Sequence, residues 1–106
     1  MPKYLIEATY TAQGEEGLRS KGGTDRRKAV GDMVKTVGGK LESFYFGFGD
    51  QDAYVTVDLP DDEAAAAVAL IVNSAGGAKA RTTVLLTPEQ LDEAAKRAVE
   101  YRPPGL

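Results

Sequence analysis

The chain contains no cysteine and no histidine. Without cysteine there is no disulfide, no thiolate nucleophile, no iron–sulfur cluster and no thiolate zinc site. Without histidine, proximal-histidine haem binding, imidazole-based zinc or iron sites and Ser-His-Asp catalysis are closed off. Only hard cations held by carboxylates remain open, and neither a metal site nor a cofactor is expected. Long apolar runs are also lacking: the longest, Ala64 to Val72, falls far short of the roughly 20 residues that span a bilayer. An excess of basic charge is missing too. A net charge of −3 and a pI near 4.9 oppose binding to nucleic acid, which needs a cationic surface to displace phosphate counterions. The opening Met-Pro-Lys-Tyr-Leu-Ile-Glu carries no apolar core followed by a cleavage site, and Glu7 would interrupt one. A cytoplasmic location is the expectation.

What is present reads as one globular domain spanning 1–106. Its 42% hydrophobic and 27% charged residues are ordinary values. A chain of this size buries roughly 65% of its unfolded surface, enough for one sheet covered by two helices. The organising stretch is Gly38 to Pro60, which holds all three phenylalanines and two of the five tyrosines. It reads as two strands joined at Gly49-Asp50-Gln51-Asp52. In the first strand Phe44, Phe46 and Phe48 share a face with Lys40 and Glu42, and at period two they read as core under a helix. Leu41, Ser43, Tyr45 and Gly47 take the other face. In the second, Ala53, Val55, Val57 and Leu59 alternate with Tyr54, Thr56 and Asp58 until Pro60 ends the run.

Before the hairpin, Tyr4, Ile6, Ala8 and Tyr10 alternate with Leu5, Glu7 and Thr9 as a strand. A short helical piece follows from Gly14 to its break at Gly22-Gly23. Thr24 or Asp25 is then the expected cap of a longer helix, with Val30, Met33, Val34 and Val37 on one face, stopped by Gly38-Gly39. Arg26, Arg27 and Lys28 occupy the first turn of that helix, the unfavourable end for cations. They read either as a solvated face or as donors to a carboxylate or an anionic ligand, which suits the planar guanidinium of Arg26 or Arg27.

After the hairpin, Asp61-Asp62-Glu63 opens an alanine-rich helix whose expected buried stripe is Val68, Ile71 and Val72. A last strand runs from Ala78 to Leu86. Thr87-Pro88-Glu89-Gln90 then starts an extra helix with a capping box, continued by Leu91, Ala94, Ala95, Ala98 and Val99. The tail at 98–106 is expected to be extended or laid on a neighbouring subunit. The order is strand, helix, strand, strand, helix, strand, helix. It predicts an α+β fold, a ferredoxin-like βαββαβ plait in which a four-stranded antiparallel sheet carries its helices on one face. The face left open would present Leu5, Glu7, Thr9, Leu41, Tyr45, Tyr54, Thr56, Arg81, Thr83 and Leu85. That set is too apolar for a plain solvated surface and too polar for a dry core, which points to a homodimer or a multiple of one, packed sheet to sheet.

These residues resemble the GYD domain family, small proteins with a Gly-Tyr-Asp signature in the central hairpin. The likeness runs through Tyr4-Leu5-Ile6, Arg26-Arg27, Gly38-Gly39-Lys40, Phe44-Tyr45-Phe46, Asp58-Leu59-Pro60-Asp61 and Arg81-Thr82-Thr83. The signature departs at Gln51, where the family commonly has a tyrosine: a chemical role of that tyrosine would be in doubt here, whereas a tyrosine that only packs at the turn would be replaceable by glutamine. The resemblance implies a dimeric α/β-barrel arrangement and leaves the activity open.

Three functions remain. A small-molecule binding or regulatory module would use Tyr10, Arg26, Tyr45, Tyr54 and Arg81 as aromatic contacts and polar anchors for a small acidic or phenolic ligand. A cofactor-independent oxygenase or isomerase would need a carboxylate base, with Glu7, Asp50 and Asp52 as the candidates, although aspartates in a hairpin equally serve the turn itself. A structural or interaction module would have the assembly as its product.

Overall fold

The computed structural model describes residues 1–106 throughout. Strands β1 (Lys3–Tyr10), β2 (Lys40–Phe46), β3 (Ala53–Asp58) and β4 (Ala78–Leu85) form one sheet in the order β2-β3-β1-β4, every neighbouring pair antiparallel. Helices α1 (Ala12–Lys21) and α2 (Gly23–Thr36) join β1 to β2, and α3 (Asp62–Ala75) joins β3 to β4. The extra C-terminal helix, α4 (Pro88–Ala95), follows the sheet. This is the expected split βαβ plait, with one open face.

The core lies between the sheet and α2 and α3. Tyr4, Ala8 and Tyr10 of β1, Ala53, Val55 and Val57 of β3, and Leu59 are buried against Val30 and Val34 of α2 and Ala65 of α3. Tyr4 also donates its hydroxyl to Asp62 Oδ1 at 2.6 Å, joining β1 to the first turn of α3. Asp61 caps α3 by accepting from the Ala64 amide at 2.8 Å. The acidic start of α3 is therefore engaged in holding the helix, and no group of three carboxylates is placed to hold a metal ion. No helix is long and apolar enough to cross a membrane.

The helix starts differ from expectation. Thr11 rather than the region of Gly14 opens α1, its hydroxyl accepting from the Gly14 amide at 3.2 Å. Neither Thr24 nor Asp25 caps α2. Gly22 stands alone between the helices at φ 91°, a left-handed value that favours glycine. Its amide closes α1 onto the Leu18 carbonyl at 2.8 Å, and its carbonyl opens α2 by accepting from Arg26 at 3.3 Å. One residue, Gly22, thus makes the whole corner, and Gly23, expected to belong to the break, already lies in α2.

The first half of β2 is also turned over. Leu41 pairs with Val57 and Ser43 with Thr56, so Glu42 is an extra residue in a β-bulge. The bulge reverses the alternation before it. Leu41 lies on the helix side, packed against the core. Lys40 and Glu42, expected beneath a helix, lie on the open face, where Glu42 meets Thr56 and Lys3. Lys3 also donates to Asp58 Oδ1 at 2.8 Å, and these two carboxylates, Asp58 foremost, hold its ammonium above the usual lysine pKa.

The phenylalanine face is only partly core. Phe44 packs against the buried cluster, but Phe46 is exposed at the strand end and Phe48 lies beyond it, fully exposed. Likewise Ile71 of α3 is exposed, whereas Val68 is buried and Val72 packs against the core as expected, with Ala65 buried beside them. Helix α4 has the expected capping box but buries nothing and ends at Ala95, short of Ala98 and Val99. It and the tail extend the molecule to 56 Å, against 33 and 23 Å in the other directions.

Candidate functional site

Tyr10 ends β1 with its ring on the helix side, buried and tilted against Phe46 at 6.5 Å between ring centres. Arg26, one turn into α2, folds back over this ring with its guanidinium carbon 5.9 Å from the centre. That is within the range at which a cation is attracted to an aromatic face. The guanidinium makes no ion pair, and its Nε is buried without a hydrogen-bond partner. A buried donor left without an acceptor is rare and costly, so this group is free to receive one.

Around the pair the space is divided in two. Outside lies a cavity of about 340 Å³ walled by the glycine-rich side of α1, the start of α2 and the end of α3, with Gln13, Lys21 and Asp25 as its other polar side chains. Inside, between sheet and helices, lies a slot of about 40 Å³ in which 13 of 15 lining residues are hydrophobic, among them Ile6, Val30, Phe44 and Val68. Tyr10, Arg26, Val72 and Ala78 border both spaces. The arginine and the tyrosine therefore stand at the boundary, or neck, between a polar vestibule and an apolar end.

The matching family model covers residues 4–95 of the 106. The chain belongs to the GYD domain family. Neither the curated proteins nor the solved structures contain a match to it.

The sheet separates the candidate residues of this GYD domain into two groups. Tyr10 and Arg26 meet on the helix side. Tyr45, Tyr54, Glu7 and Arg81 lie on the open face, where the register places them in one transverse row: Tyr45 opposite Tyr54, Tyr54 opposite Glu7, Glu7 opposite Arg81. The Arg81 guanidinium is 3.9 Å from the Glu7 carboxylate. Asp50 is exposed in the hairpin turn. Asp52 binds the base of the hairpin to β1: its carboxylate accepts from the Tyr10 amide at 2.9 Å, and its own amide donates to the Ala8 carbonyl at 2.9 Å. Gln51, in the altered signature of this GYD domain, accepts from the Thr9 hydroxyl at 2.8 Å. Both are turn contacts. None of Glu7, Asp50 and Asp52 borders the vestibule or the slot.

Sequence reasoning missed Gln13, Lys21 and Asp25. The signal was the Gly22-Gly23 pair, since a one-residue corner brings the last turn of α1 and the first turn of α2 to the same place.

Proposed function

We propose that this GYD-domain protein is a homodimeric, cytoplasmic module that binds a small acidic or phenolic compound between sheet and helices. The observation that carries the reading is Arg26, a cation held over the Tyr10 ring without any acceptor from the protein, at the neck of a cavity. The volume of about 340 Å³ falls at the lower end of ligand pockets, which run from roughly 300 to 1,000 Å³. Binding is favoured over catalysis because the carboxylates proposed as bases lie elsewhere.

The homodimer is supported by the transverse row on the open face. In a two-fold interface the same surface meets itself, and a row that ends in Glu7 and Arg81 is complementary to its own reversed copy. Tyr45, well exposed beside Tyr54, supplies aromatic area of the kind found at interfaces.

The test is thermal denaturation of the protein against a mixed panel of small carboxylates, phenols, neutral alcohols and amines. A ligand that binds only the folded state raises Tm in proportion to ln(1 + [L]/Kd). Acidic or phenolic members are expected to raise it, and a panel without a single hit at millimolar concentration overturns the reading.

A further inference from the structure

Three features of the site bear on what it would hold. The first is shape. Arg26 carries donors in a planar fork that matches the two oxygens of a carboxylate, and its Nε is the one buried side-chain polar atom in the molecule without a partner. The second is charge. The titratable side chains bordering the vestibule besides Tyr10 are Lys21, Asp25 and Arg26, two cations and one anion, which leaves a balance of +1. A single negative charge neutralises that balance, whereas a dianion would bring surplus charge towards Asp25. The third is polarity. Beyond the neck the walls turn apolar on all sides, from Ile6 and Val55 on the sheet to Val30 and Val68 on the helices. An inorganic anion would leave these walls, and the apolar side of the vestibule at Leu18, Ala29 and Val72, uncovered.

We infer that the ligand is a monocarboxylic acid with a compact apolar body: its carboxylate at the neck on Arg26, its body in the vestibule along the Tyr10 ring, where Leu18, Ala29, Val72 and Ala78 also form the wall, and no more than a small apolar end in the slot of about 40 Å³. This rests on the small-molecule reading above and specifies its ligand class. Burial of the body contributes in proportion to the apolar area removed from water. The carboxylate supplies orientation through charge-assisted bonds to a cation that is already in place. Lys21 adds attraction at longer range, where solvent screens it. Phenols satisfy the apolar end but offer the neck a neutral hydroxyl in place of two oxygens. Phosphate satisfies the cation but not the apolar walls.

The experiment is calorimetric and NMR titration of the full-length protein with benzoate, benzamide, phenol and inorganic phosphate, repeated with Arg26→Gln and Arg26→Lys variants whose fold is checked by circular dichroism. Benzoate is expected to bind at least about tenfold more tightly than benzamide, phenol or phosphate. It should shift the resonances of Tyr10, Val72 and Ala78, and it should lose about tenfold or more in affinity in Arg26→Gln, with partial recovery in Arg26→Lys, which keeps the charge but not the fork. Because a variant can be affected in its fold, the benzoate-to-benzamide ratio in the unaltered protein is the deciding measurement. Equal affinity for the two, or tighter binding of phenol or phosphate, overturns the carboxylate assignment and leaves the small-molecule reading standing. Failure of all four probes, together with a blank result on the broader panel, overturns both.

Discussion

The Tyr4 hydroxyl donates to Asp62 Oδ1 across 2.6 Å, from the first strand to the first turn of α3. Held by that carboxylate, and then by burial and the neighbouring Asp61 and Glu63, the Tyr4 phenol is raised from 10.0 to about 12. Folding thus favours the protonated phenol. Its contribution is complete below pH 10 and fades as pH climbs through about 12. Spectrophotometric titration should show one tyrosine ionising only near pH 12, together with alkaline unfolding. Tyr4→Phe should be less stable than the parent at neutral pH, with the difference closing above pH 12. A difference that persists unchanged at that pH would contradict the assignment.

Gly39 is enclosed by structure that cannot move aside. A Cβ there would run into the Asp58 carbonyl oxygen and come within 2.6 Å of Leu59 Cδ2 and 2.9 Å of Val34 Cγ1, both residues fully buried. Gly39→Ala is therefore expected to destabilise by roughly 1–3 kcal/mol, as overpacking of a core does. Gly49→Ala, with open space around it, should remain within about 0.5 kcal/mol of the parent. Chemical denaturation of the two variants side by side measures the contrast.

The bulge at Glu42 separates residues that simple alternation would group. Leu41→Ala removes a side chain packed against the core and is expected to cost about 2 kcal/mol or more. Phe48→Ser, on a fully exposed ring, should be nearly neutral. Equal losses in denaturation midpoint would show that the face assignment is mistaken.

The Glu7–Arg81 row sets a test of association. Glu7→Arg should leave the fold intact, because Glu7 lies on the open face and its pairing with the exposed Arg81 is long at 3.9 Å, yet weaken self-association about tenfold or more. The exchange Glu7→Arg with Arg81→Glu should restore it. Sedimentation over a wide concentration range reads both effects, and a parent protein that remains monomeric throughout eliminates the homodimer.

Helix α4 buries no residue. Removing residues 88–106 is expected to change Tm by no more than roughly 4 °C. A large loss of stability would mean that the arm packs against the body in solution.

Much of the fold was legible because the local signals agreed with one another. β1 and β3 alternate without interruption, Pro60 and the acidic residues after it mark a helix start, and Thr87-Pro88 marks another. Gly22 was recognised as a break but not as a joint, because a sequence shows where a helix stops and not how soon the next begins. The reversal at Leu41 was invisible for a related reason: a bulge leaves the composition of a strand intact and alters only its pairing. Phe48 looked like core through its spacing, although the strand that would have buried it had already ended. At the site, Arg26 reads as a hydrogen-bond donor to an anion and Tyr10 as an aromatic contact, but nothing in their separation of sixteen positions indicates that they stack. Their meeting follows from the corner at Gly22, a tertiary fact.

The extra residue in β2 acts as a shift of parity. Up to Leu41 the odd positions of the strand point inward, and from Phe44 onward the even ones do. A strand lacking the shift would expose Leu41 beside Tyr45 and withdraw Glu42 from Lys3 and Thr56, giving the open face a greasier edge. One extra residue therefore lets Leu41 face inward and Glu42 outward at once, and deleting Glu42 would keep Leu41 opposite Val57 while taking from the open face the carboxylate that meets Lys3 and Thr56.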